Sequence, residues 1–536
     1  MINVIPKPVK CEEQYGEFII NSSTSIYADD SLAYARDRLI DIIEQTCGYR
    51  LNVVISTTAN ICFYVNRKIK DEGYEIDCDI DRMNIFASTK AGALYAVQTI
   101  RQLVLSDLID KPSVLTMHAV KIEDYPRYSW RGLMLDESRH FYGPEAVKNL
   151  LDMMVMHKLN VLHWHLTDNN GWRIEIKGYP KLTQVGSYRA GTQSKAWGSN
   201  IIDWNPHEGF YTQNEIKEIV SYAARRNIMI VPEIDMPAHL AAAIASYPEL
   251  GCFNKSIEPF VLHRGNNPGE IDIIACAGKD FTYKFIYDVI DELSKLFPSP
   301  YFHIGGDEAP KTEWKKCPNC QKMIEDNKLK DEEELQGYFN NKIAVYLKRK
   351  GKRLIAWNEV LKSDNLENSI IAQYWTAKSD PKINSWLDDG KNVIISKHQS
   401  FYFDMPYSKV NLKDTYNFDE EKYGIKDHNK AILGIEATLW TEWVPTQQRL
   451  DFQLYPRMEA LSEVSWTPKD MLDYKEFLAR LNKFLPTLKS LGKVYCPLNM
   501  VDTDKFKGAF DFITFLKRNA HFEYNKAMAY RKRRRY

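Results

Sequence analysis

Hydrophobic and polar positions alternate over short stretches near the start of the chain, at residues 17–20, 51–55, 61–65 and 83–87, and this period of two predicts strands. Residues 31–45 and 92–105 change to a helical period. In the second, Leu94, Ala96, Val97, Ile100 and Leu103 fall close to i, i+3, i+4, i+7, so one face is expected to be buried against a sheet. Residues 1–126 therefore read as a small α+β domain.

Beyond Pro126 the texture changes to apolar strand-like runs alternating with helical ones, the signature of a parallel β/α architecture. Eight strand candidates stand out: 131–136, 161–167, 228–234, 301–304, 353–357, 370–375, 392–396 and 433–439. Eight is the number that closes a (β/α)8 barrel. Helices are expected at 144–157, which opens on a proline, and at 214–226, 281–297 and 333–350. The expected fold is thus α/β, a (β/α)8 TIM barrel over 127–470 preceded by the α+β domain. Residues 471–536 follow as a helical extension, helical to about 491 and again at 504–530.

In such barrels chemistry gathers where the strands end. The residues at those ends are Arg139 and His140, Asp168, Asp235 and His239, Asp307 and Glu308, Trp357 and Glu359, Trp375, and Trp440 with Glu442. Seven of the eight strands carry site-like groups there, which a random surface would not.

Composition narrows the classes. With 71 Lys+Arg against 71 Asp+Glu and 44% hydrophobic residues, the chain is a neutral folded protein, not a disordered, collagenous or nucleic-acid-coating one. Aromatic residues reach 12%, and their flat faces suit flat apolar ligands such as a sugar ring. Nine cysteines, odd in number and widely spread, do not read as a disulfide framework, and most are expected to be reduced thiols. The opening MINVIPKPVKCEEQYGEF has no apolar run after a basic one, and no window approaches the roughly 18 apolar residues of a membrane helix. The expectation is a cytoplasmic protein, although an export signal already removed would leave the same sequence. The tail RKRRRY reads as a solvated terminus.

The sharpest local signal is YFHIGGDEAP, a strand that ends in two glycines and the adjacent carboxylates Asp307 and Glu308. Gly305 and Gly306 are expected to let backbone approach whatever sits above the barrel. Two neighbouring carboxylates in an aromatic pocket do not both ionise comfortably, so one should keep its proton and act as a general acid.

Together with SRHF (138–141), HLTDNNGWR (165–173), PEIDMPAH (232–239) and ATLWTE (437–442), HIGGDEAP resembles the motifs of the family 20 glycoside hydrolases, exo-acting β-N-acetylhexosaminidases. The motifs recur in family order over about 120–470, and the N-terminal part resembles the small domain that commonly precedes this barrel. The resemblance implies a retaining mechanism without an enzyme nucleophile, in which the substrate's 2-acetamido oxygen attacks C1 and an oxazolinium forms. It implies Glu308 as acid and then base, Asp307 as acceptor of the acetamido N–H, and Tyr402 as donor to the acetamido oxygen. It further implies Arg139 for hydroxyls at C3 and C4, Asp404 and Glu442 for those at C4 and C6, Trp440 for the ring face, and Trp357 and Trp375 as walls around the acetyl methyl. Asp168 and His239 would tune Glu308 from behind, supported by Asp235. The partners implied are oligosaccharides or glycoconjugates ending in GlcNAc or GalNAc, with no nucleic acid, membrane, cofactor or metal; a homodimer is left open.

Two constellations compete. His163 and His165 lie two apart on a strand and point the same way, the spacing used by metal-dependent barrel hydrolases, but the later strand ends carry single histidines and tryptophans rather than further ligands, so packed, hydrogen-bonded histidines are expected. Cys317-Pro-Asn-Cys320 has metal or redox spacing, but no second such pair or nearby His pair completes it, so free thiols are expected. A silent sugar-binding protein, suggested by the aromatic content, is opposed by the intact acid pair.

Overall fold

The computed structural model describes residues 2–104, 113–262 and 273–533. Among these residues there are two compact units, one of 2–104, 113–131, 151–160 and 455–495, the other of 132–150, 161–262, 273–454 and 496–533.

The first unit is built on a seven-stranded mixed sheet of Lys10–Ile20 (β1), Ser25–Ala28 (β2), Asn52–Val53 (β3), Ile61–Val65 (β4), Tyr74–Cys78 (β5), Met83–Ala87 (β6) and Leu115–Asp124 (β7), in the order β1-β7-β5-β6-β4-β2-β3. Helices Ala33–Cys47 and Lys90–Val104 supply Leu39, Ile43, Leu94, Val97 and Ile100 to one core with Ile26, Phe63, Ile76 and Ile85 of the sheet. The predicted strand at 17–20 is only the end of β1, whose first residues, KCEEQY, are exposed and polar. Neither β5 nor β7 was legible, because Glu75, Asp77, Lys121 and Glu123 fill their outward positions and dilute the apolar signal. The end of the second predicted helix, residue 105, lies outside the described residues.

The same unit contains helices Arg457–Trp466 and Tyr474–Ser490. Arg480 Nη1 donates to Val4 O (2.8 Å) and to Glu463 Oε2 (2.7 Å), which ties the second helix to the N-terminus. The segment read as one extension from 471 is therefore divided between the two units.

The second unit holds a closed eight-stranded parallel (β/α)8 barrel: Trp130–Asp136 (β8), Val161–His165 (β9), Met229–Glu233 (β10), Tyr301–His303 (β11), Arg353–Trp357 (β12), Ile371–Tyr374 (β13), Val393–Ile395 (β14) and Ile432–Leu439 (β15). Every residue of β8, β9, β13 and β14 is buried, as expected of strands covered on both faces. The four predicted helices are Pro144–Met156, Gln213–Ala224, Asp280–Leu296 and Glu332–Arg349. Thr212 and Glu215 start the second with a reciprocal capping box, and Asp331 caps the fourth. The expected strand 161–167 breaks at Leu166. Beyond it Thr167–Asp168 pairs with Gly171–Trp172 as a separate ribbon that carries Asp168. The expected helix at 504–530 is two helices, Lys505–Lys517 and Phe522–Arg533, and Glu523 accepts from Tyr407 N (2.8 Å) and Ser408 N (3.0 Å). No helix of the described residues is long and apolar enough to cross a membrane.

Candidate active site

Parallel pairing sets Asp136, His165, Glu233 and His303 as register partners across β8 to β11, so four polar side chains occupy one layer at the strand ends. Glu233 is fully buried at its centre. Its carboxylate meets His165 Nδ1 at 2.5 Å, His163 Nε2 at 2.9 Å and His303 Nδ1 at 2.9 Å, and accepts from Trp357 Nε1 at 3.1 Å. Burial alone would raise Glu233, but the imidazoles outweigh it and hold the carboxyl well below its usual range. Burial would likewise lower His163, yet Glu436, 2.8 Å from Nδ1, and Glu233 bring it up to about 9. Both nitrogens of His163 and of His165 thus face protein carboxylates, an ion-paired network under the site.

Asp168, at the rim, joins this floor to the site. It meets His165 Nε2 (3.1 Å), Arg139 Nη2 (2.8 Å) and, through its other oxygen, His239 Nδ1 (3.3 Å). Burial would raise its pKa, but Arg139 and His239 hold it well below the carboxylate range. His239 in turn points Nε2 at Glu308 Oε2 (3.6 Å) and Asp307 Oδ2 (3.8 Å). Burial opposes protonation of His239, and the charge of Asp168, which stays ionised, overcomes it, so the imidazole stays protonated well above its ordinary range.

The two adjacent acids have unlike surroundings. The Glu308 side chain is 59% exposed and that of Asp307 12%. Burial pushes Asp307 up to about 7, with His239 opposing and Glu308 adding to the rise. The carboxyl that resists ionisation is therefore Asp307's and not that of Glu308, to which the resemblance gives the acid role, so proton retention does not single out the general acid here. Glu308 lies at φ +45°, a left-handed conformation uncommon for a side-chain-bearing residue, which turns it out of line with the strand.

The glycines before the pair make room for neighbours within the protein. A Cβ on Gly305 would lie 1.7 Å from Asp235 Oδ1, and one on Gly306 would lie 2.7 Å from Val360 Cγ1. Asp235 fills the space left by Gly305 and accepts from Gly306 N at 3.3 Å. Burial, with the charge of Asp307, pushes Asp235 well above its ordinary value.

Arg139 is held from below. Asp136 accepts from its backbone N–H (3.1 Å) and from Nη1 (3.2 Å), and Glu442 Oε1 lies 3.9 Å from Nη2. The guanidinium sits over the Trp440 ring, 4.9 Å from its centroid. Burial raises Glu442, with Arg139 opposing. Tyr402 stacks against Trp375 at 5.9 Å, and burial, with the charges of Asp404 and Asp307, keeps its hydroxyl protonated. Phe403 N donates to Thr438 O (2.8 Å), which pins the Tyr402–Asp404 segment, Asp404 itself buried, beside β15.

Trp357 departs from its expected place as a wall. It is 1% exposed and its N–H goes to Glu233, so it belongs to the floor among the histidines. Partly buried Trp197, Trp375, Trp440 and Phe512 pack against the cluster of Tyr402, Met405 and Val410 instead.

Several contributors went unread in the sequence. Trp197 and Phe512 lie far from any strand end. Glu233 was visible only as the residue two before Asp235, and its signal is register: it pairs with the last residues of both neighbouring strands. The expectation that Cys317 and Cys320 have no completing ligands is corrected, since buried Cys252 and Cys276 approach them.

A closed (β/α)8 barrel with paired acids, a buried arginine and aromatic rings at its strand ends defines a glycoside hydrolase site. The description of the glycosyl hydrolase family 20 catalytic domain matches residues 128–469, and that of domain 2 of the family matches 1–125. The β-hexosaminidase of Porphyromonas gingivalis is 36% identical over 536 residues, covering 96% of this chain and 66% of that protein. The β-N-acetylhexosaminidase of Cellulomonas fimi is 30% identical, covering 92% and 95%. Among solved structures, the β-N-acetylhexosaminidase of Bacteroides fragilis superposes with a TM-score of 0.81 at 32% identity, covering 94% and 99%. The exo-β-N-acetylglucosaminidase of Vibrio harveyi, solved with N-acetylglucosamine, gives 0.82 at 30% identity, covering 92% and 78%. The chain belongs to glycosyl hydrolase family 20.

Proposed function

We propose that this chain is a retaining exo-β-N-acetylhexosaminidase that releases terminal, non-reducing β-linked GlcNAc or GalNAc from oligosaccharides or glycoconjugates, using the substrate's own acetamide as nucleophile. The observation that carries this reading is the split between neighbours, Glu308 facing solvent and Asp307 buried against His239 and Asp235.

In this reading Glu308 donates its proton to the glycosidic oxygen as the C1–O bond breaks, while the acetamido carbonyl oxygen bonds to C1 from the opposite face. The positive charge that develops on the resulting oxazolinium is balanced by Asp307 in its ionised form, the form present above its raised pKa of about 7, which accepts the acetamido N–H, and Tyr402 donates to the acetamido oxygen. Water then adds at C1 and Glu308 takes its proton, giving net retention. The protonated His239, held by Asp168, steadies the carboxylate that Glu308 becomes after its first transfer. Arg139, Asp404 and Glu442 hold hydroxyls, and Trp440 supports the sugar ring.

Paired 4-nitrophenyl β-glycosides of GlcNAc, GalNAc and glucose test the proposal, with the first product anomer followed by NMR. The two N-acetyl sugars should be cleaved with β-anomer appearing first, and the glucoside should resist. Rapid cleavage of the glucoside, or α-anomer as the first product, would refute it.

A further inference from the structure

Away from the strand-end acids, four buried cysteines converge, Cys317 and Cys320 from one CxxC pair and Cys252 and Cys276 from positions with no spacing motif. Cys252 follows the short helical turn Pro248–Leu250, Cys276 precedes helix Asp280–Leu296, and Cys317 and Cys320 open helix Pro318–Asp326. Their sulfurs lie 3.9 Å apart for Cys252 and Cys320, 3.7 Å for Cys276 and Cys317, and 3.6 Å for Cys276 and Cys320, and all four fall within 4.8 Å of one another. A regular tetrahedron with metal–sulfur bonds of about 2.3 Å has sulfur–sulfur edges of about 3.8 Å. A disulfide needs sulfurs about 2.05 Å apart, and no pair here is so close.

The surroundings are shaped to bring the two turns together. A Cβ on Gly278 would stand 2.2 Å from the carbonyl carbon of Asn319, between Cys317 and Cys320, so only glycine lets the Cys276 turn lie against that segment. Cys276 N donates to Leu250 O (2.8 Å), which sets the Cys252 turn beside it. The nearby Lys255 Nζ to Glu313 Oε1 pair, at 2.7 Å, fastens the same two loops on their outer side.

We propose that Cys252, Cys276, Cys317 and Cys320 form a closed tetrathiolate site for one structural zinc ion. Four thiolates fill the coordination shell and leave no position for water or substrate, so the ion takes no part in bond cleavage. Loading exchanges four thiol protons for one Zn²⁺, and the site carries a net charge of minus two. Its role follows from what it joins. Cys252 and Cys276 belong to the segment after β10, which also carries Asp235 and His239, and Cys317 and Cys320 to the segment after β11, which carries Asp307 and Glu308. Ala275 N donates to Pro237 O (2.8 Å) and Ala275 O accepts from Trp314 Nε1 (2.9 Å), so the residue beside Cys276 already bridges both segments. The ion would fix the spacing between His239 and the acid pair.

The test is elemental analysis of the full chain, produced in zinc-containing medium and dialysed against EDTA. The expected result is one equivalent of zinc per chain, released only when an organomercurial blocks the thiols and then read with a chromophoric chelator. Growth with cobalt should give the thiolate-to-cobalt charge-transfer and d–d bands of a tetrahedral tetrathiolate. Cys317→Ser and Cys252→Ser should each reduce retained zinc at least tenfold; because these variants risk misfolding, the metal content of the unmodified protein decides. Extraction should lower Tm by at least about 5 °C. Folded, active protein with less than a tenth of an equivalent of zinc, an equivalent of iron instead, or an intact mass showing two disulfides among these four residues would overturn the proposal.

Discussion

His239 Nε2 stands 3.6 Å from Glu308 Oε2 while its Nδ1 stands 3.3 Å from Asp168, so the acid that faces solvent is backed by an imidazole whose pKa its carboxylate neighbour raises well above the ordinary value. The imidazole lies beside the oxygen that carries negative charge between the two proton transfers. Glu308→Gln keeps the shape and removes the proton. Turnover of substrates with poor leaving groups should fall by about 10² to 10⁴, and that of aryl glycosides with good leaving groups less. Steady-state kinetics over a leaving-group series measures this, and an unchanged rate on an alkyl glycoside would exclude the assigned role.

Asp307 gives a stability signature whose sign can be worked out. Its pKa is raised from the ordinary carboxylate value to about 7, so the folded state binds a proton that the unfolded chain has already released. Between about pH 4 and pH 7 stability should therefore fall as pH rises, and above about 7 the loss is complete. Asp307→Asn removes the titration. Relative to the wild type, the variant should gain stability at pH 8 but not at pH 4, while losing acetamide-dependent activity. Urea unfolding at the two pH values checks it, and an equal stability difference at both would contradict the burial argument.

Arg139 is a case where charge alone does not suffice. Its planar fork reaches Asp136 and Asp168 from two different nitrogens and packs over Trp440, which a lysine ammonium cannot reproduce. Arg139→Lys should reduce kcat/KM by about 30-fold, equivalent to about 2 kcal/mol for one charged hydrogen bond lost. Most of it should appear in KM if the residue only binds hydroxyls. A variant within twofold of the wild type would show that the fork geometry is not used.

The barrel was legible because strands buried on both faces leave unbroken apolar runs, and β12 appears at 353–357 as expected. Asp307 and Glu308 were legible because the chemistry of their motif is local. What escaped was long-range. Arg480 binds Val4 across 476 residues, which is why the C-terminal segment could not be assigned to a unit. Glu233 gains its meaning only from three histidines on other strands, and Cys252 and Cys276 only from a turn 41 or more residues away. Such groups carry no periodic signal, since nothing in the residues next to them in sequence determines what they will touch.

The first unit offers a prediction independent of catalysis. Asp124 is fully buried and accepts from Tyr74 OH (2.6 Å), Lys158 Nζ (2.8 Å) and Trp466 Nε1 (2.8 Å), three donors from separate parts of the chain. Burial lowers the pKa of Lys158, and the carboxylate of Asp124 partly restores it. Asp124→Ala would leave a buried ammonium without its counter-charge and two further donors without an acceptor, at a cost of about 3–5 kcal/mol. Lys158→Met should cost less, since the tyrosine and tryptophan donors still satisfy Asp124. If the two groups act as a pair, the double variant should be more stable than the sum of the single losses implies, by about 1–3 kcal/mol. A urea double-mutant cycle measures the coupling, and strict additivity would mean that the ion pair contributes nothing beyond its separate hydrogen bonds.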